Sequence, residues 1–301
     1  MTGHAYSVFD VFTDQALAGN PLGVVYDCED LDTAAMQRIA NEFNLSETVF
    51  LSSPDRAEHS ARVRIFTPFY EMPFAGHPTV GSAVALALRD GIADGIFVLE
   101  ENIGPVRCVV STHDGRTFAE FDMPKLPAPA PFDISREAAA AALGLGPHEI
   151  GFENHTVSAW NAGVPYVTVP IADLSVASRA KLDTEQWLTL TGGLTDARAP
   201  AAYIYCRDTV LHDSAFHARM FAGHIGLVED PATGSAAAAF AGAVMHFDRP
   251  VDGKTQLWIE QGMEMGRPSR IRLELDVEAG SLRSARIGGN AVKVAEGRLA
   301  V

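Results

Sequence analysis

Three short stretches carry the residue types that move protons. "NEFNLSETVFL" (41–51) sets Glu47 among the apolar Phe43, Leu45, Val49 and Phe50. "EMPFAGHPTVGS" (71–82) places His77 ahead of a proline and a run of small residues, and "EDPATGSA" (229–236) places Asp230 in the same setting. A glutamate buried among apolar neighbours has its neutral form favoured and its pKa raised toward the range of a general acid/base. With a histidine and a second carboxylate nearby, that is equipment for proton transfer without a cofactor. Each residue type also fits a plainer role. Glu47 suits an exposed strand start, His77 an ordinary helix flank, and Asp230 an N-cap. Glu229 suits a solvated or dipole-complementing charge, and Ser82 and Ser235 suit close helix packing.

Those stretches must be positioned by regular elements, and the patterning supplies them. "YSVFDVF" (6–12) and "PLGVVYD" (21–27) read as strands around a Gly-Asn-Pro turn, and "TAAMQRIANEF" puts Met36, Ile39, Ala40 and Phe43 at helical spacing. Strands are predicted at "ETVFLSS" and "ARVRIFTP", a helix across "PTVGSAVALALRD", and strands at 95–100, 105–112 and 117–123. "PKLPAPAP" (124–131) holds four prolines in eight positions and cannot sit inside a sheet or helix, so it marks a boundary. Beyond it come a helix near 135–143, strands near 155–159 and 164–170, helices between 172 and 192, strands at 201–206 and 215–221, and a small-residue helix over 232–246.

A shift of 153 residues lays His77–Ala83 on Asp230–Ala236 with four identities in seven, and a shift of 144 lays "AGNPLGVV" (18–25) on "AGVPYVTV" (162–169). Both point to an internal duplication of about 150 residues. The expected fold class is α+β: two pseudo-symmetric lobes, each a mostly antiparallel sheet wrapped around a central buried helix. The lobes are placed at 1–127 and 128–287, with 288–301 a candidate for a strand crossing back to the first. Pro78 and Pro231 suit first-turn positions, which puts His77 and Asp230 at or just before the N-caps. Two positive helix ends facing one cleft would then hold a carboxylate, each contributing about 0.3–1 kcal/mol.

Composition narrows the partners. The chain has 301 residues, 47% of them hydrophobic, and a formal net charge of −15. That is ample for a core and opposes nucleic acid and anionic membrane, whose affinity comes from Lys and Arg on phosphates. No run approaches roughly 18 apolar residues and no signal peptide is evident, so a cytoplasmic location is expected. Cys28, Cys108 and Cys206 form no CxxC or metal-ligand spacing. "GLGPHE" (144–149) is a fragment of a dinucleotide fingerprint after a helical run, and no Walker A, HExxH or GxSxG motif is present. Neither metal nor organic cofactor is expected.

The motifs "GNPLGVV", "MQRIANEFNLSETVFL", "RIFTPFYEMPFAGHPTVGSA", "VEDPATGSAAAA", "IEQGMEMGRPSRI" and "VAEGRLAV" together resemble the phenazine-biosynthesis PhzF-like family, across nearly the whole chain. The resemblance implies a diaminopimelate-epimerase-like fold with its active site between two lobes, a homodimer, and isomerisation of a small cyclic carboxylate. The family's best-known substrate is trans-2,3-dihydro-3-hydroxyanthranilate, on which a glutamate shuttles a proton from ring C3 to C1. On the same resemblance Glu47 is that glutamate, and His77, beside the site glycine Gly76, and Asp230 hold the substrate's polar groups. Ser235 and the neighbouring amides of Thr233 and Gly234 hold its carboxylate. Epimerases of this fold carry cysteines in the corresponding loops, and this sequence has none there, which argues against amino-acid epimerisation. A cofactor-free isomerase of another metabolite and a non-catalytic binding scaffold remain the alternatives.

Overall fold

A computed structural model describes residues 3–192, 200–222 and 227–301. The chain divides into two compact units, Met1–Pro124 with Ile287–Val301, and Lys125–Arg286.

The first unit contains β1 (His4–Val11), β2 (Asn20–Val25), α1 (Thr33–Phe43), β3 (Glu47–Ser52), β4 (Ala61–Phe66), β5 (Glu71–Met72), α2 (Gly76–Asp90), β6 (Gly95–Glu101), β7 (Gly104–His113) and β8 (Arg116–Asp122). Its pairings are mostly antiparallel, but β2–β3 and β4–β6 run parallel. α1 forms where the apolar spacing requires it. Asp32 caps it by accepting from the Ala35 amide at 2.7 Å, Met36, Ile39 and Ala40 are buried, and Asn44 ends it in the left-handed region at φ 50°. Those three side chains pack with Val25, Cys28, Phe50 and Phe66, with Phe43 partly buried alongside. α2 is buried without interruption from Gly76 to Ala87, against β1, β2, β3, β6, β7 and β8. A helix apolar all round needs such cover.

The second unit contains β9 (Ala128–Pro129), α3 (Arg136–Ala142), β10 (Ser158–Asn161), β11 (Pro165–Pro170), α4 (Leu174–Arg179), α5 (Thr184–Thr191), β12 (Ala201–Cys206), β13 (Phe216–Ala222), β14 (Leu227–Asp230), α6 (Gly234–Phe247), β15 (Gly253–Gln261) and β16 (Ser269–Glu278). Here β11–β12 and β13–β15 are the parallel pairs. α3, α4 and α5 bury Ala139, Val176, Ala177 and Trp187 in one cluster with Val167, Val169, Ala202 and Ile204 of the sheet. α6 lies against β9, β10, β11 and β16 and buries Ala236 through Val244.

The last strand, β17 (Ser281–Leu299), passes from the second unit into the first, where Ala291–Leu299 pairs antiparallel with β1. The proline-rich run departs from expectation at one point. Ala128–Pro129 forms a two-residue strand on Trp160–Asn161, a length too short for the missing proline amides to disrupt a ladder. Among the described residues no helix is long and apolar enough to cross a membrane.

Candidate active site

In the first unit three element starts converge. Gly19 turns the chain into β2 at φ +64°, where a Cβ would lie 2.3 Å from the Val11 carbonyl oxygen, so only glycine fits. Asn20 follows as the first, fully buried residue of β2. Glu47 opens β3, and the parallel pairing sets it opposite Leu22, two residues beyond Asn20. His77 lies in the first turn of α2 and is 3% exposed. The Asn20 amide Nδ2 donates to His77 Nδ1 at 3.3 Å, so the neutral ring carries its proton on Nε2. Nε2 in turn faces Glu47 Oε2 at 3.3 Å. Burial drives the His77 pKa down to about 3, which keeps the imidazole uncharged across the physiological range. The result is a neutral N–H beside, but not hydrogen-bonded to, a carboxylate whose side chain retains 15% exposure.

The start of α2 differs from expectation. The N-cap is Ala75, with no side-chain cap, and His77 is the second helical residue rather than a cap. Thr79, in the first turn, is bonded on two sides. Its Oγ1 lies 2.7 Å from the Ala75 carbonyl oxygen and 2.7 Å from Glu101 Oε1. One hydroxyl proton cannot serve both, and the carbonyl can only accept. A protonated Glu101 that donates to Thr79 satisfies all three groups. Burial raises the Glu101 pKa to about 8 against the lowering effect of Thr79, in keeping with that assignment. Sequence reasoning missed Asn20 and Glu101. The period-two alternation Phe97, Leu99, Glu101 on β6 points Glu101 inward and is the signal that could have found it.

In the second unit Asp230 is the last residue of β14 and 5% exposed. α6 begins four residues later with Thr233 as N-cap, so Asp230 is not a cap and Pro231 lies outside the helix. Thr233 Oγ1 donates to Asp230 Oδ2 at 2.5 Å. The fully buried Gln261 ties the segment together: its Nε2 donates to the Asp230 carbonyl at 2.8 Å and to Thr233 Oγ1 at 3.1 Å, and its Oε1 accepts from the Thr233 amide at 3.3 Å. Gly262 follows at φ +78°, where a Cβ would stand 2.6 Å from the Pro231 carbonyl oxygen. Gly234 opens the helix, and Ser235 Oγ meets Tyr166 Oη at 2.7 Å.

Behind Asp230 lies a charged network that sequence reasoning did not find. Glu229 is not a solvated charge: Arg219 Nε and Nη2 each donate to its carboxylate at 2.8 Å, and Arg219 is 7% exposed. His217, 1% exposed, bridges Glu260 Oε1 at 2.8 Å and Glu264 Oε1 at 2.9 Å. Burial opposes its charge, but the hydrogen bonds and charges of the two glutamates prevail and raise its pKa to about 9. Glu260 also accepts from the Val210 and Leu211 amides at 2.6 and 2.8 Å. The thiols, by contrast, are inert. Burial pushes Cys28 and Cys206 up to about 12 and Cys108 well above its ordinary value, so none supplies a thiolate at neutral pH.

Comparison with known proteins agrees along the whole length. The family model of phenazine biosynthesis-like proteins, PhzC-PhzF, matches residues 9–297. An uncharacterized isomerase of Mesorhizobium japonicum is 64% identical over 295 residues, covering 98% of each chain. The trans-2,3-dihydro-3-hydroxyanthranilate isomerase of Pseudomonas aeruginosa is 34% identical over 297 residues, covering 98% of this chain and 99% of its own. Among solved structures, a PhzF-family phenazine biosynthesis protein of Bacillus anthracis superposes with a TM-score of 0.89 at 28% identity, covering all of both chains. A hydroxyproline epimerase of Agrobacterium vitis shares the fold alone, at a TM-score of 0.66 and 12% identity, over 98% of this chain and 90% of its own. The chain belongs to the phenazine biosynthesis-like PhzC-PhzF family and is an isomerase.

Proposed function

We propose that the protein moves a proton on a small cyclic carboxylate, with Glu47 as the acid/base, and that trans-2,3-dihydro-3-hydroxyanthranilate or a close analogue is its substrate. The observation that carries this is the pair formed by Glu47 and a His77 held neutral by burial and oriented by Asn20. Glu47 as carboxylate removes the C3 proton, becomes a carboxylic acid, and returns that proton at C1. The two conjugated double bonds of the ring each shift by one position, and the resulting C3 enol tautomerises to a ketone. His77 stays neutral throughout and offers its Nε2 proton as a hydrogen bond, with Gly76 at its side. Asp230, Gly234 and Ser235 supply the acceptor and donors for the substrate's amino and carboxylate groups, and Thr233, whose hydroxyl and amide are taken up by Asp230 and Gln261, positions them. The substrate itself is suggested by the 34% identical relative's name and by the lack of an ionisable thiol.

The pseudo-symmetry of the two units belongs to the same proposal. In each, a strand entered through a positive-φ glycine, Gly19 or Gly163, pairs parallel with the strand after it, and a small-residue helix is buried in the unit.

Proton NMR of the purified protein with trans-2,3-dihydro-3-hydroxyanthranilate tests the reading. Wild type should convert it, and Glu47→Gln should lower the rate by about 10²–10⁴ with the fold intact, the range for loss of a general base. A wild type that leaves this compound unchanged discards the substrate. Full activity in Glu47→Gln discards the base.

A further inference from the structure

The turn Thr67–Tyr70 joins β4 to β5 and presents two aromatic rings to solvent: Phe69 is 63% exposed and Tyr70 37%. The ladder fixes where it stands. Thr48 on β3 pairs with Phe66 on β4, so one step further along the antiparallel register Thr67 comes opposite Glu47. The aromatic pair therefore leaves the sheet beside the proposed base. Burial, and secondarily the charge of Glu47, raise the Tyr70 phenol above its ordinary pKa, as that proximity requires.

The turn is built to hold still. Thr67 Oγ1 accepts from the Phe69 and Tyr70 amides at 3.1 and 3.0 Å, and the Thr67 amide donates to the Tyr70 carbonyl at 2.9 Å. α1 fastens it from the other side. Gln37 donates to the Thr67 carbonyl at 2.9 Å and Asn41 to the Pro68 carbonyl at 3.2 Å. Beyond Tyr70, Glu71 is gripped by Arg64 through two bonds of 2.8 and 2.6 Å and by Asn102 at 2.9 Å. An unsupported turn would leave exposed rings free to collapse onto apolar surface. Here six hydrogen bonds and a bidentate ion pair keep them presented.

We infer that Phe69 and Tyr70 form the ring-recognising wall of the Glu47 site and select substrates with an unsaturated, flattened ring over saturated, fully puckered ones. The inference rests on the isomerase reading of Glu47 and adds to it the part of the molecule that sets substrate class. The sp2 atoms of an unsaturated ring offer a flat π face that stacks on a fixed aromatic side chain, whereas a saturated, puckered ring touches it at fewer atoms.

The test is binding, so it does not depend on turnover. The full chain is titrated by NMR with 2-aminobenzoate, a planar carboxylate, and with cyclohexanecarboxylate, a puckered one. Wild type should favour the planar probe by about fivefold or more. Phe69→Leu and Tyr70→Leu, which keep apolar bulk on an exposed turn, should each erode that preference, and Tyr70→Phe should restore it. Glu47→Gln should keep the preference while losing turnover. Leucine variants that bind with the wild-type preference, or a wild type with none, overturn the inference. Failure of trans-2,3-dihydro-3-hydroxyanthranilate to react while the planar preference persists overturns only the substrate proposed above.

Discussion

At the start of α2 the ionisable groups are kept uncharged, and ahead of α6 they are kept charged. His77 is a neutral imidazole and Glu101 a neutral acid, both through burial with hydrogen-bond partners that are themselves neutral. Around Asp230 the unit instead buries a protonated His217 between two glutamates and an Arg219–Glu229 pair. Low dielectric penalises an isolated charge, and these are the two available remedies: remove the charge or pair it. The choice matches the proposed roles. A base that must gain and lose a proton is served by neutral neighbours, which leave its own titration free. A segment that only has to hold a substrate is served by a rigid ionic scaffold.

The contrast predicts unequal responses to losing a histidine. His217→Ala leaves Glu260 and Glu264 facing one another without their cation, so stability should fall by about 3–5 kcal/mol. His77→Gln strands no charge and should cost about 1–2 kcal/mol. Urea midpoints at neutral pH read the difference, and equal losses would break the comparison.

The pH dependence sharpens it. Glu101 binds its proton more tightly in the folded state, with a pKa of about 8 against an ordinary 4.5. Its contribution is therefore complete below about 4.5 and disappears as pH rises through 8, each unit of elevation being worth about 1.4 kcal/mol. Glu101→Gln keeps an N–H donor for Thr79 and cannot ionise, so the decline in stability between those limits should flatten. His217, raised from 6.5 to about 9, acts with the same sign in a higher window: its contribution is complete below 6.5 and lost through 9. Melting temperatures of wild type and Glu101→Gln from pH 5 to 8.5 decide the matter. Parallel profiles would mean that Glu101 is ionised in the folded protein.

What the sequence makes legible follows from locality. α1 is readable because its apolar spacing and its cap residue Asp32 lie within one dozen residues, β3 because its buried positions are a run of branched and aromatic residues, and β4 because its buried Val63 and Ile65 alternate with arginines. Glu47 and His77 are readable as chemistry-bearing types, but their pairing is not, since it depends on Asn20 and on a parallel register between strands separated by a helix. Asp230 and His77 align as strings and diverge in space. Counting from the helix starts, His77 corresponds to Ser235, both second residues, whereas Asp230 ends a strand. The cause is Gln261, which satisfies the polar groups between Asp230 and Thr233 and so permits a non-helical entry. Nothing near residue 230 in the chain announces a partner 31 residues away.

The two central helices offer the mildest test of the difference between the units. Gly81 of α2 and Gly242 of α6 both face obstruction: a Cβ at Gly81 would lie 2.4 Å from Leu22 Cδ2, and one at Gly242 would lie 2.3 Å from Trp160 Cε3. Yet the obstructing atoms differ in freedom. Leu22 Cδ2 is the end of a rotatable side chain, and its shift is offset by the gain of about 1 kcal/mol that alanine brings over glycine inside a helix. The Trp160 ring is rigid, its Nε1 donates to Ser158 Oγ at 3.0 Å, and its strand is paired on both sides, to β9 and β11. Gly81→Ala should therefore change stability by less than about 1 kcal/mol, and Gly242→Ala should lower it by about 1–3 kcal/mol with a shift in tryptophan fluorescence. If the order reverses, the first unit's helix is the more tightly packed, and the neutral character of its entry reflects that packing rather than the needs of Glu47.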